Sequence, residues 1–417
     1  MTYRPRRMKF GVFMAPFHRI GENPTLALKR DMALIEHLDA LGFDEAWIGE
    51  HHSYGRELIA DPAVFIAAAA ERTKRIKLGT GVTSLPYHHP LMVADKMTLL
   101  DHMTEGRAML GVGPGALTSD AYMLGIDPVV QRPRMNEALD AIMALFKAEE
   151  PVNAKTDWFE LKDARLQLAS FSEPHLPVAV ATTFTPSGPS AAGRHGLGLL
   201  SVAGAGNEGF ERTWGWAEEA AAESGKQVDR GEWKVVVPFH LADSRQEAFD
   251  GIREGYARQA YVGDRNVPIR GTATGLPFAG GTLNIEEAVE NGALIVGTPD
   301  DAIAAIERLQ ERSGGIGGVL GLAHEWSNTE RNLHSFELWA RFVSPRFQGQ
   351  LGPIEASRDY IEARAADVFG GTPAALARAF TDAGKALPPA MQAQFEAAKR
   401  AREEAAARGA GLTPSLE

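Results

Sequence analysis

Short apolar runs recur eight times along this chain, and each is followed by a stretch with helical periodicity. The runs cover residues 9–13, 45–48, 77–83, 108–112, 177–182, 197–202, 234–241 and 318–322. Between the first two, Leu28, Met32, Ile35, Leu38 and Leu41 fall on one helical stripe that stops at Gly42. Strands alternating with helices build parallel sheets, and eight such units predict an α/β protein, a (β/α)8 TIM barrel. An open doubly wound sheet is the alternative. It fits less well, because no strand-adjacent dinucleotide fingerprint occurs.

The units are regular up to 262–292, which is rich in Gly, Pro and Thr and weakly periodic. It reads as an insertion or lid late in the barrel. Helical order resumes at Thr298-Pro299-Asp300-Asp301, a good helix start with Thr298 as N-cap. A smaller excursion, 151–174, predicts a hairpin strand around Trp158–Leu161. The barrel is assigned to residues 1–348, and 349–417, rich in Ala, Glu and Arg, to a C-terminal helical extension.

Composition removes several chemistries. With no cysteine there are no disulfides, thiolate metal sites or cysteine nucleophiles. A formal charge of −11 argues against nucleic-acid or anionic-membrane partners. No signal peptide or membrane-spanning run is expected, and the absence of cysteine is compatible with a cytoplasmic location. No P-loop and no Gly-x-Ser-x-Gly elbow occurs. His324-Glu325 lacks the second histidine of a zincin motif, and the adjacent pair His88-His89 chelates poorly, so no metal is expected.

In parallel α/β proteins catalytic groups collect just past the C-terminal ends of strands. Gly49-Glu50-His51-His52 sits there, after the second run. Neighbouring side chains on extended backbone point opposite ways, so His51 and His52 are expected to do different jobs. Glu50 either orients a histidine or serves as a rim ion-pair residue. The third run ends in small residues, Gly79-Thr80-Gly81-Val82-Thr83-Ser84, and the fourth in Gly111-Val112-Gly113-Pro114-Gly115. Either could let backbone approach a flat ring, or be simple steric economy. After the fifth run, Thr182, Thr183, Thr185, Ser187 and Gly188 surround a helix start, where free N–H groups and the helix dipole suit a phosphate.

Taken in order, these motifs resemble the bacterial-luciferase-like flavin monooxygenases. The matching stretches include Gly49–His52, Leu85-Pro86-Tyr87-His88-His89-Pro90, Leu100–Arg107 and Val296–Asp300, running in order from about residue 8 to 345. Gly113-Pro114-Gly115-Ala116 and Ser187-Gly188 are similar to the limonene-monooxygenase-like branch. The resemblance implies a barrel, commonly dimeric, that receives reduced FMN from a separate flavin reductase. It also implies O2 addition to give a C4a-peroxyflavin, which oxygenates a small apolar or carbonyl-bearing organic substrate. It makes His51 the catalytic histidine. It puts Gly81 and Val82 against the isoalloxazine, often through a non-proline cis peptide, and the Thr182–Gly188 segment around the phosphate. Luciferases proper carry arginine at Pro114 and glutamate at Thr182, so the helix start or another cation has to compensate here. The rivals on the same barrel are a deazaflavin (F420)-dependent oxidoreductase and a non-catalytic flavin-binding subunit.

Overall fold

The eight runs form the staves of one closed parallel barrel. They are β1 Lys9–Met14, β2 Glu45–Ile48, β3 Lys77–Thr80, β4 Ala108–Gly113, β5 Val178–Ala181, β6 Gly198–Val202, β7 Trp233–Leu241 and β8 Gly318–Leu322. β1 pairs with both β2 and β8, and the ring closes through β5–β6, β6–β7 and β7–β8. This computed structural model describes all residues except 1, 16–17, 54, 148–149, 183–184, 265–283 and 410–417. The side chains of 205–207, 259–264, 366–367 and 401–409 are likewise not described.

Strand alternation sorts the side chains. Phe10, Val12, Ala46, Ile48, Leu110, Val112, Val235 and Val237 face outward into the layer shared with the helices. Trp47, Met109, Ala179, Leu200, Val236, Leu320 and Leu322 face inward and fill the barrel. Trp47 dictates its neighbours. A Cβ at Gly79 would stand 2.7 Å from its ring, so the adjacent strand must carry glycine there.

Local chemistry sets the helix ends. Pro24–Leu41 is capped by the Asn23 side chain and ends on Gly42 at φ 83°. Pro299–Ser313 opens with a full capping box between Thr298 and Asp301. The excursion forms an antiparallel hairpin, Val152–Lys155 with Glu160–Ala164.

Three features differ from the sequence reading. The third strand is broken: Lys77–Thr80 stops, Gly81-Val82 is a cis peptide, and Thr83–Ser84 resumes pairing with β4. A strand at Ile295–Gly297 extends the sheet beside β7, too short to register as periodicity. A helix at Thr118–Met123, inside the loop after β4, has no side-chain cap to announce it. Of the supposed lid at 262–292, residues 265–283 lie outside the described residues; Ile285–Glu290 is helical.

Contact clustering separates Met1–Gly349 from Gln350–Glu417. The second unit consists of helices Gly352–Ala363, Ala365–Gly370, Thr372–Asp382 and Pro389–Gly409. Among the described residues no helix is long and apolar enough to cross a membrane.

Candidate active site

A cavity of about 330 Å³ opens where the C-terminal ends of the strands converge. Glu50, His51, Gly81, Val82, Gly113, Gly115, Thr182, Thr185, Ser187 and Gly188 all line it. Thr183 lies outside the described residues. His52 and Thr83 are not among the lining residues. His52 turns away from the cavity and donates from Nε2 to Glu50 Oε1 at 2.9 Å. Thr83 is buried in the short strand that pairs with β4.

The walls differ in chemistry. Phe13, Leu200, Val202 and Val236 give an apolar floor over the barrel interior. Gly81, Val82, Gly113 and Ala181 give a wall of small residues. Gly113 has no room for a side chain, since a Cβ there would lie 2.7 Å from Val82 Cγ2.

One end is built for an anion. The Ser187–His195 helix starts without a side-chain cap, so its first N–H groups are unanswered by the chain's own helix bonding. Ser187 Oγ is buried with no hydrogen-bond partner among the described residues. Arg132, at the start of the Gln131–Lys147 helix, lines the same cavity, is exposed, and has no ion-pair partner among the described residues. It is a cation at the cavity where Pro114 offers none. Its position in the first turn of the helix after the fourth strand was the available sequence signal. Thr182 contributes less than expected. Its hydroxyl donates to Leu200 O at 3.1 Å and pairs with Ser201 Oγ, which in turn accepts from Trp233 Nε1 at 2.8 Å.

The other end is a network of imidazoles and carboxylates. Glu50 is fully buried and accepts from His52, from His88 Nε2 at 2.7 Å and from Ser84 N at 3.0 Å. Burial pushes its pKa up, but the two histidines and the backbone donor outweigh that and hold it below the ordinary carboxylate range. Glu50 therefore orients His52 and His88 rather than His51.

His51 has different partners. Its Nδ1 lies 3.1 Å from Asp120 Oδ2, and its Nε2 lies 3.1 Å from Glu57 Oε2. The Glu57 contact is at ion-pair distance without hydrogen-bond alignment. Burial disfavours the charged ring, yet the two carboxylates dominate and push its pKa up to about 10. The ring is thus held protonated through neutral pH. Neither Glu57 nor Asp120 was singled out from sequence. Asp120 sits on the unannounced Thr118–Met123 helix, and nothing local marks Glu57.

A larger cleft of about 660 Å³ lies between the Pro24–Leu41 and Thr329–Leu338 helices. Most of its charges are already paired, Arg30 with Glu22 and Glu325, and Asp31 with His18 at 3.0 Å. Its His324 is half-buried and neutral, its pKa lowered to about 4 by desolvation. The strand-end cavity is the one that combines an anion end, a flat wall and a charged imidazole.

Known proteins resemble this chain in sequence and fold. Residues 8–315 match the family model described as luciferase-like monooxygenase. The chain is 45% identical to limonene 1,2-monooxygenase of Rhodococcus erythropolis over 83% of its own length and 88% of that protein's. It is 43% identical to 4-hydroxyprotoasukamycin monooxygenase of Streptomyces nodosus subsp. asukaensis, over 86% and 97% respectively. Among solved structures it resembles the oxygenating constituent of 3,6-diketocamphane monooxygenase of Pseudomonas putida, in complex with FMN. That match has a TM-score of 0.70 at 27% identity and covers 81% of this chain and 98% of that one. With the barrel and strand-end cavity described above, these matches make the chain a member of the luciferase-like monooxygenase family.

Proposed function

We propose that this monooxygenase is the oxygenating component of a two-component system. On this reading it takes reduced FMN from a separate reductase and inserts one oxygen atom of O2 into a small apolar or carbonyl-bearing organic substrate. The observation that carries it is the anion end of the cavity: an orphaned Ser187 Oγ, an uncapped helix start and the unpaired Arg132. A flavin phosphate would answer all three.

The residues present fit FMN. Ser187, the Gly188 backbone and Arg132 would hold the phosphate, while Gly81, Val82, Gly113 and Ala181 would lie against the ring. Bound reduced FMN supplies two electrons and the activation of O2, so that one oxygen atom enters the substrate and the other leaves as water. The chain's own residues do the rest. Phe13, Leu200, Val202 and Val236 keep water from the floor and accept an apolar substrate. His51 places a positive charge at the cavity wall. Glu50 braces the rim through His52 and His88.

A homodimer is part of this reading. Val64 on Pro62–Ala70 is exposed, as are Met92, Leu99 and Met103, which form one stripe of Pro90–Met103. Such an apolar face suits a second copy of the chain.

The test is to combine the protein with FMN, NADH, a flavin reductase and 18O2, and to screen neutral terpenoid and ketone substrates by mass spectrometry. A product carrying one labelled oxygen is expected, and His51→Ala should reduce its rate about a hundredfold. Full activity in that variant would remove the role given to His51. Tighter binding of F420 than of FMN, with hydride transfer and no labelled product, would replace this reading with the deazaflavin one. Flavin binding without turnover would leave a non-catalytic subunit.

A further inference from the structure

His51 meets an unusual environment for an active-site imidazole, because both ring nitrogens face carboxylates. Asp120 is the fixed side. Only 2% of its side chain is exposed; Oδ1 accepts from His52 N at 3.1 Å and from Ser53 Oγ, and Oδ2 faces His51 Nδ1. Ser53 is in turn joined to Ser119 at 2.7 Å. Glu57 is the second side. Its side chain is 9% exposed, and among the described residues its one ion-pair partner is His51. Its Oε2 has no hydrogen-bond partner among the described residues and stands 3.1 Å from His51 Nε2. Neither Glu57 nor Asp120 lines the cavity, whereas His51 does. The ring therefore turns both nitrogens toward the carboxylates and leaves a carbon edge for the cavity.

We propose that Glu57 is a positioning residue: with Asp120 it clamps His51 by both nitrogens, so that the imidazole serves the cavity as a fixed positive charge and not as an acid or base with a free nitrogen. The inference rests on the reading that this cavity is the flavin site. It goes beyond that reading by saying in which form His51 works. The charged and titratable groups around the ring are consistent with it. Glu57 comes from the loop after β2 and Asp120 from the Thr118–Met123 helix. Beyond them stand Glu50 with its two histidines and the Tyr87 phenol, whose pKa is raised by burial, Asp120 and Glu50. Arg132 is the other cation on the cavity wall.

The experiment is an NMR titration of the 15N-labelled histidines in the wild-type protein and in Glu57→Gln, assigned with His51→Ala, beside FMN-quenching titrations of each. In the wild type, both His51 nitrogens should stay protonated from pH 6 to 8.5. In Glu57→Gln the midpoint should fall by roughly one unit or more, and the pH profile of kcat should acquire a limb that the wild type lacks, with FMN affinity unchanged. A wild-type His51 that titrates near its ordinary value, or one whose midpoint ignores Glu57→Gln, overturns the clamp. If Glu57→Gln does not fold, the wild-type titration alone decides. Loss of FMN binding by the wild-type protein would remove the cofactor reading, while the titration still judges the clamp.

Discussion

Pro114 carries no charge and no N–H to offer an anion, whereas Arg132 brings a guanidinium to the same cavity from a different element. Charge-assisted hydrogen bonds to a phosphate are worth enough to be read directly in binding. Arg132→Ala should weaken FMN about tenfold to a hundredfold and leave riboflavin, which has no phosphate, almost unchanged. Fluorescence quenching by the two flavins measures this, and equal losses for both would show that Arg132 acts through the fold. At this scale the sequence was a partial guide. Glycines and hydroxyls at strand ends could be picked out by local pattern. The partners of His51 could not, since Asp120 is 69 residues away in sequence and is brought close only by barrel closure.

Individual elements follow from local rules where those rules are strong. The Gly42 terminus and the Thr298 cap put helix boundaries where the sequence said they would be, and the Asn23 cap starts its helix at Pro24. Elements without such marks escaped: the uncapped Thr118–Met123 helix and the three-residue strand Ile295–Gly297. The outer helices also carry information about assembly. Met92, Leu99 and Met103 recur at helical spacing on a face turned to solvent in the single chain. Replacing Met92 by Glu should convert a dimer to a monomer in light scattering after size exclusion, with little change in the far-ultraviolet spectrum of the monomer. A wild-type monomer, or a dimer indifferent to the change, would place any assembly elsewhere.

Over the whole molecule, histidines set opposing pH limits on stability. His240, buried, and His324, half-buried, are neutral, with pKa values lowered to about 3 and about 4, chiefly by desolvation. Their folded values lie below the unfolded one, so their contribution is present above about 6.5 and is lost as the pH falls toward 4. His51 has the opposite sign. Its folded value of about 10 exceeds the unfolded one, so its contribution is complete below about 6.5 and is lost as the pH climbs toward 10. The melting temperature should therefore decline on both sides of neutrality. Glu57→Gln should flatten the alkaline decline and His324→Gln the acid one, as read by scanning calorimetry. Unaltered slopes in both variants would assign the pH limits to other groups.

Periodicity and punctuation were enough to specify the barrel, its strand ends and the helix start beside the anion site, because these depend on residues within a few positions of one another. The two carboxylates against His51, the place of Arg132 at the cavity and the withdrawal of Thr182 into a wall network emerged with the folded chain. Asp120 is 69 residues from His51 and Leu200 is 18 from Thr182, and Glu57, though in the same loop as His51, faces it only because that loop folds back. The folded loops and paired strands set these separations to about 3 Å, a distance at which charge and proton position are decided.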